Sequence, residues 1–459
     1  MPEVTATKKE IWTMGSYSLL TLSIMVGFMY LNQFATSVLE VPTAALATAM
    51  LVGKTIDFIV SIFAGAIIEK VKLGNKGKNQ EWLSKGRWIL AIAIMLEVFP
   101  TSGPVWMRLL VMTAAYAVLN SLMNLIQTAY YGISAAVAGP NPSNRQAFNI
   151  NMSRQATVIT LITSTIPTLV TVLDFGKWNY FVVATAFMIP MPFALGAVAK
   201  LGDGKDIPVG AAGAAHQVTA TDMFRALIEN KYLLVLFLCH TIQYIGQFLF
   251  QGLSAYYWMF VVGNFSLMTV ANLVAAVTSF VAAMIMPPIG QKLGKKKAIS
   301  IGYFLLPVVN FCMGWFGRFG YIYMIAIQSL NTFAMYTYTP FVMLMYMDAA
   351  EWYFNKSGKD TRGIVMGLAT PPMKIGMALG GTIGLMLLSN TGFDTPGVAG
   401  SAEWIPKFMT ITYWVPACFY LVMAILFVLL YRLSDEEAAR CAQENYAKFM
   451  ASQQEAPKE

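Results

Sequence analysis

The chain has 459 residues, of which 57% are hydrophobic and only 12% charged, and its mean hydropathy is +0.58. A soluble globule of that composition would leave far too much apolar surface in water, so the soluble class is excluded and an integral membrane protein is indicated. The net charge of +8 does not point to nucleic acid, because Lys and Arg gather in short stretches between apolar runs, where they set topology.

Residues 1–10 are polar, and Lys8, Lys9 and Glu10 lead directly into an apolar stretch of full membrane length. No cleavable leader is expected, so the first segment stays as a helix. Apolar runs bounded by charge, Gly or Pro fall near 15–38, 42–68, 86–102, 105–137, 152–173, 178–200, 232–261, 267–290, 298–316, 320–347, 363–389 and 405–432, which predicts twelve membrane-spanning helices. The third is the least regular, since it carries Glu97 and is interrupted by Pro100, Gly103 and Pro104. Cys239, Cys312, Cys418 and Cys441 are scattered without metal-ligand spacing and read as small residues, not as disulfides or ligands.

In the second run, Lys54 and Asp57 are the only charged residues between Pro42 and Ile68. Spaced i, i+3, they share one helix face and can neutralise each other. Intramembrane charge costs a few kcal/mol even on lenient scales and by default marks a functional path, although a structural ion pair locking two helices would use the same residues. The fourth run lines up Tyr116, Asn120, Asn124, Gln127 and Tyr131 on one face. The seventh aligns His240, Tyr244, Gln247 and Gln251, with Gln243 at the edge, and the tenth contributes Gln328, Asn331, Thr332 and Thr339. Three such stripes predict a shared polar cavity. For any single residue, interhelical hydrogen bonding worth about 0.6 kcal/mol remains an equal reading.

His240 and His216 form no metal constellation, and His240 is expected to be a satisfied structural histidine. No phosphate loop, HExxH or nucleophile elbow is present, so an enzyme is not expected. In the eleventh run, Gly376, Gly380, Gly381 and Gly384 mark close helix packing around Lys374, whose ammonium needs a carboxylate; Asp57 is the natural candidate.

The polar stretch Leu201–Lys231 divides the runs into two groups of six. The 2–3 connection carries Lys70, Lys72, Lys76, Lys78, Lys85 and Arg87, and the 8–9 connection Lys292, Lys295, Lys296 and Lys297, whereas the 1–2 and 7–8 connections have no Lys or Arg. Both termini are therefore expected in the cytoplasm of a plasma-membrane protein. The organisation is a six-helix half over 1–200, a connector over 201–231, a second half over 232–432, and a solvated helical tail over 433–459. An all-α membrane protein of twelve helices in two six-helix halves is the pattern of the major facilitator fold, with sites near mid-membrane.

Several segments together resemble the glycoside-pentoside-hexuronide:cation symporter family of the major facilitator superfamily, typified by melibiose permease. They are Lys54–Gly65, Lys85-Gly86-Arg87-Trp88, the pair Arg145 and Arg154, Tyr256-Tyr257 with Val261-Val262-Gly263-Asn264, Gly294-Lys295-Lys296, and Asp348 through Lys374. The resemblance implies that Asp57 matches the first carboxylate of the family's cation site, with Lys54 a turn earlier, Lys374 its helix-11 lysine, Arg154 its sugar-proximal arginine and Asp348 an acid at the 10–11 connection. The chain departs from the pattern elsewhere: Ser61 stands for the second helix-2 carboxylate, Thr21 and Asn120 (or Asn124) for sugar-contacting acids, and Arg362 for a glutamate within Gly358-Lys359-Asp360-Thr361-Arg362-Gly363.

The function implied is secondary active transport of a sugar, glycoside or sugar acid by alternating access, with no cofactor beyond a co-transported proton or sodium ion. Asp57, Ser61 and Lys374 are assigned to coupling, and Thr21, Lys54, Asn120, Asn124, Gln127, Arg154, Tyr244, Gln247 and Asn331 to substrate. One carboxylate with hydroxyls is a poor sodium site, so a proton serves at least as well. The excess of cations favours an anionic substrate such as a hexuronide. A lysolipid-type carrier and a non-transporting membrane sensor or scaffold are the alternatives. The expected partners are a small-molecule substrate and membrane lipid, not nucleic acid, and the expected state is a monomer.

Overall fold

The computed structural model describes residues 4–139, 141–206, 220–359 and 362–455, so His216, Asp360 and Thr361 lie outside the described residues. Within them the chain is helical without strands. It packs as two compact units, the first comprising Met1–Ala215, Ser254–Leu273 and Leu388–Ala399, the second His216–Leu253, Val274–Leu387 and Gly400–Glu459.

The first unit is built on α1 (Lys8–Gly15), α2 (Leu19–Ser37), α3 (Thr43–Lys70), α4 (Lys78–Glu97), α5 (Val105–Ala138), α6 (Pro142–Thr163), α7 (Ile166–Val172), α8 (Asn179–Met188) and α9 (Pro190–Leu201). Local sequence sets the helix starts. Thr7 and Glu10 cap α1 reciprocally, and Asn141 accepts from Ser143 N–H ahead of Pro142, whose missing donor is no loss in a first turn. The core beneath them is aliphatic, with Leu83, Leu90, Ile94, Ile126, Ile133 and Leu195 fully shielded.

The remaining helices are α10 (Ala220–Glu229), α11 (Lys231–Tyr256), α12 (Leu267–Leu293), α13 (Lys295–Phe316), α14 (Tyr321–Tyr336), α15 (Thr339–Ser357), α16 (Arg362–Gly367), α17 (Pro371–Asn390), α18 (Trp404–Met409), α19 (Val415–Leu430) and α20 (Asp435–Glu455). The second unit's core joins Leu233, Leu236, Ile299, Leu306, Met423 and Phe427. Gly358 stops α15 at φ 70, a left-handed turn that residues with a Cβ resist.

Ten segments among the described residues are long and apolar enough to cross a membrane. The third and tenth expected spans account for the difference from twelve. α4 starts inside the basic loop at Lys78, so charged turns dilute it, and the tenth breaks at Thr337 and Tyr338 into α14 and α15. Large apolar side chains such as Ile59, Ile62 and Phe63 on α3 and Val277, Phe280 and Met284 on α12 are exposed, a surface suited to lipid contact.

Two polar segments are tied down more than their composition predicts. Asp206 accepts from Gln80 N–H and Asn79 Nδ2, both at 2.8 Å, and Asp203 accepts from Gln80 Nε2 at 2.5 Å and Lys76 Nζ at 3.3 Å, pinning the start of the connector to the 2–3 loop. Gln80 and then Lys76 hold the Asp203 carboxyl below its usual range. The tail helix α20 is not solvated all round. Its Asn445 donates to Glu351 Oε2 at 2.6 Å, its Glu437 accepts from Trp352 Nε1 at 3.1 Å, and Cys441 is buried beneath it.

Candidate substrate and coupling site

The polar centre of the first unit lies where α3 meets α5. Gly53 permits the approach, since a Cβ there would stand 2.9 Å from Tyr116 Cδ1. One turn later Asp57 is 0% exposed, and Asn124 Nδ2 donates to its Oδ1 at 2.6 Å. The same amide also reaches Asn120 O at 3.0 Å, and Asn120 Nδ2 donates to Tyr116 O at 2.9 Å. Lys54, half-buried, feels the Asp57 charge from the preceding turn, as i, i+3 spacing requires, and Tyr116 lies in electrostatic reach of both Asp57 and Glu97. A buried carboxylate held by an amide and a nearby ammonium is compensated, yet a change of protonation or of ion occupancy would unbalance it.

Four predicted residues, Lys54, Asp57, Asn120 and Asn124, are therefore brought together. Other expected site residues of this unit show no side-chain bond to that cluster among the described residues. Ser61 bonds back to Phe58 O at 2.7 Å, Thr21 is half-buried on α2, and Gln127 and Arg154 are exposed on α5 and α6. Arg154 has no ion-pair partner among the described residues. Glu97 is 1% exposed and sits over α2, where a Cβ on Gly27 would fall 1.9 Å from its Oε2. Gln33 is absent from the expected site residues: it is fully buried with neither amide atom hydrogen-bonded among the described residues, and the adjacent amides Asn32 and Gln33 point to different faces of an apolar helix and give no periodic stripe.

In the second unit, Tyr244 backs directly on α17. A Cβ on Gly376 would lie 2.2 Å from Tyr244 Cβ, and one on Gly380 2.3 Å from Ile245 O, which is the close packing expected of these glycines. Tyr244 stacks along Phe248, and Gln247 keeps a buried Oε1 without a donor among the described residues. Lys374 is half-buried on α17. Asn331 faces inward to accept from Asn310 Nδ2 at 2.9 Å, a partner that the stripe on α14 did not reveal. His240 is satisfied on both nitrogens, with Tyr346 Oη 2.9 Å from Nδ1 and Tyr303 Oη 3.0 Å from Nε2.

The sequence profile of MFS/sugar transport proteins matches residues 13–435. The chain belongs to that family. It is a multi-pass membrane transporter of the sugar-transport type, acting on a small molecule, and not an enzyme. Uncharacterized symporter YjmB of Bacillus subtilis (strain 168) is 22% identical over 444 residues, spanning 92% of each chain. Lactose permease of Leuconostoc lactis is 23% identical over 405 residues, 83% of this chain but only 61% of the permease. A crystal structure of a D-xylose-proton symporter superposes with a TM-score of 0.66 at 11% identity, covering 93% of this chain and 97% of the other. At that identity the likeness establishes the fold alone, and the fold is the all-α major facilitator fold expected above.

Proposed function

We propose that the protein is a cation-coupled symporter of the glycoside-pentoside-hexuronide type, carrying a sugar acid or acidic glycoside by alternating access. The observation that carries the reading is the Asp57 carboxylate, wholly buried in a membrane-spanning helix, held by Asn124 at 2.6 Å and neighboured by Lys54. Intramembrane charge of this kind marks ion and substrate paths. Asp57, Ser61 and Lys374 serve coupling. With Ser61 where a second carboxylate would raise the charge density, the site suits a proton better than sodium.

Asn120, Asn124 and Tyr244 suit a hydroxyl-rich ligand, and Arg154, exposed and without an ion-pair partner among the described residues, suits its carboxylate. Thr21, Gln127, Gln247 and Asn331 complete the proposed substrate set. The halves over 1–200 and 232–432 form the rocking bodies, both termini lie in the cytoplasm, and a monomer suffices. Uptake by purified protein in proteoliposomes tests the reading. An imposed pH gradient should drive accumulation of a glucuronide above its neutral glucoside; equal transport without any gradient would refute both coupling and charge preference.

A further inference from the structure

The helix that carries Lys54 and Asp57 does not cap its own start. Pro42 occupies the cap position of α3 and has no side-chain acceptor to offer. The missing acceptor comes from far along the chain. Asp394, in the connection after α17, accepts from Thr43 N–H at 3.0 Å through Oδ1 and 3.2 Å through Oδ2, and from Thr43 Oγ1 at 2.7 Å. Thr43 itself is 0% exposed. Ser389 Oγ approaches the same carboxylate at 3.3 Å and steadies it.

This contact has company. Residues Leu388–Ala399 and Ser254–Leu273 pack as part of the first unit, away in sequence from its other helices. Tyr256 Oη meets Thr36 Oγ1 at 2.9 Å in the last turn of α2, and Phe393, next to Asp394, sets its edge against Tyr256 and Phe260 with centroids 5.2 and 5.3 Å apart. A cavity of about 320 Å³ lies at the same place, lined by Thr36, Val41, Pro42, Phe393 and Asp394. The carboxylate adds favourable charge at the positive end of the helix and satisfies an otherwise orphaned donor.

We propose that Asp394 is a positioning residue for the coupling helix: it caps α3 in the state seen here and leaves it in the opposed state, so the strength of this cap sets the balance between the two. The inference rests on the alternating-access reading above and adds to it a residue outside the substrate and coupling sets. Capping by a residue of α3 itself would be permanent; capping by a remote connection can be made and broken as that connection moves.

The test reads accessibility, not transport. Val41 is buried beside the cap, so Val41→Cys on a background with Cys239, Cys312, Cys418 and Cys441 replaced by Ala reports its opening to a soluble maleimide in purified protein. Asp394→Ala should speed labelling about fivefold, the population change that loss of one helix cap supports, with Asp394→Asn intermediate because it keeps an acceptor but not the charge. Thr43→Val, which keeps the N–H bond but loses the hydroxyl, should give a smaller rise and guards against an alanine variant that fails to fold. Equal labelling of all four proteins would overturn the proposal. Because no gradient or sugar is present, that result would leave the coupling assignment untouched, and a failure of coupling would not alter the labelling.

Discussion

Among the described residues, the first unit fully buries charge where the second fully buries only neutral polar groups. At the contact of α3 and α5, Asp57 is shielded from solvent with one amide bonded to it and Lys54 close by. Between α11, α13 and α15, His240 fills both of its ring positions with the hydroxyls of Tyr346 and Tyr303, and Gln243 Nε2 donates to Tyr338 Oη at 2.5 Å. A neutral network completed within the protein fixes one arrangement and needs nothing from outside. A buried carboxylate is different, because its balance shifts whenever a proton or cation arrives or departs. Two polar clusters that look alike in sequence therefore differ in kind: one is neutral and closed on itself, the other holds a buried carboxylate.

The largest effect should come from removing the charge alone. Asp57→Asn keeps the size and the hydrogen-bonding capacity toward Asn124, yet accumulation in proteoliposomes under a pH gradient should fall to the equilibrium level while substrate exchange survives. Concentrative uptake by this variant would make Asp57 structural and erase the contrast. Cutting the neutral network should do the reverse. His240→Ala leaves the Tyr303 and Tyr346 hydroxyls unsatisfied, about 1–3 kcal/mol for each buried group, so the thermal midpoint should drop while the folded fraction still accumulates sugar. Loss of coupling in that variant would show that the His240 network is more than scaffold.

A finer test asks whether charge in the first unit also reads the ligand. Arg154→Lys should weaken competition by glucuronate several-fold, roughly the difference between a bidentate grip and a point charge, and leave competition by glucose nearly unchanged. Equal losses would confine Arg154 to a structural role. The smallest effect concerns charge at the surface. Asp203 is held below its usual range, so whatever stability it gives the folded state is present above the ordinary carboxylate pKa of about 4 and is lost only as pH falls through its lowered value. The shift in melting temperature caused by Lys76→Ala should therefore be slight and constant from about pH 8 to pH 5.5, shrinking only below about pH 4. A change across the neutral range would point to a different group.

Much of this division was legible in the chain. Two charges in an otherwise apolar run, Lys54 and Asp57, single out α3, and helical spacing places Asn120 and Asn124 on one face of α5. The membrane class and the helical fold follow from length and hydropathy. Pairings between distant segments do not. Nothing in the run containing Asn331 names Asn310 as its partner, and the acid that caps α3 lies 351 positions away in a connection with no motif. The break between α14 and α15 was hidden too, because Thr337, Tyr338 and Pro340 interrupt the backbone without interrupting hydropathy. The docked face of α20 depends on Trp352 and Asn445 finding acceptors that only the fold supplies.

The glycines of α17 have a mechanical meaning. With the backbone of α17 pressed onto Tyr244 and Ile245 at Gly376 and Gly380, no α17 side chain stands between the two helices at these two positions to absorb a displacement. A rotation of α17 must reach the Tyr244 ring undiminished, like torque through a joint without play. Lys374 sits two residues before the first of these contacts, so whatever pulls on its ammonium is transmitted along the same rigid linkage to an aromatic ring one helix away.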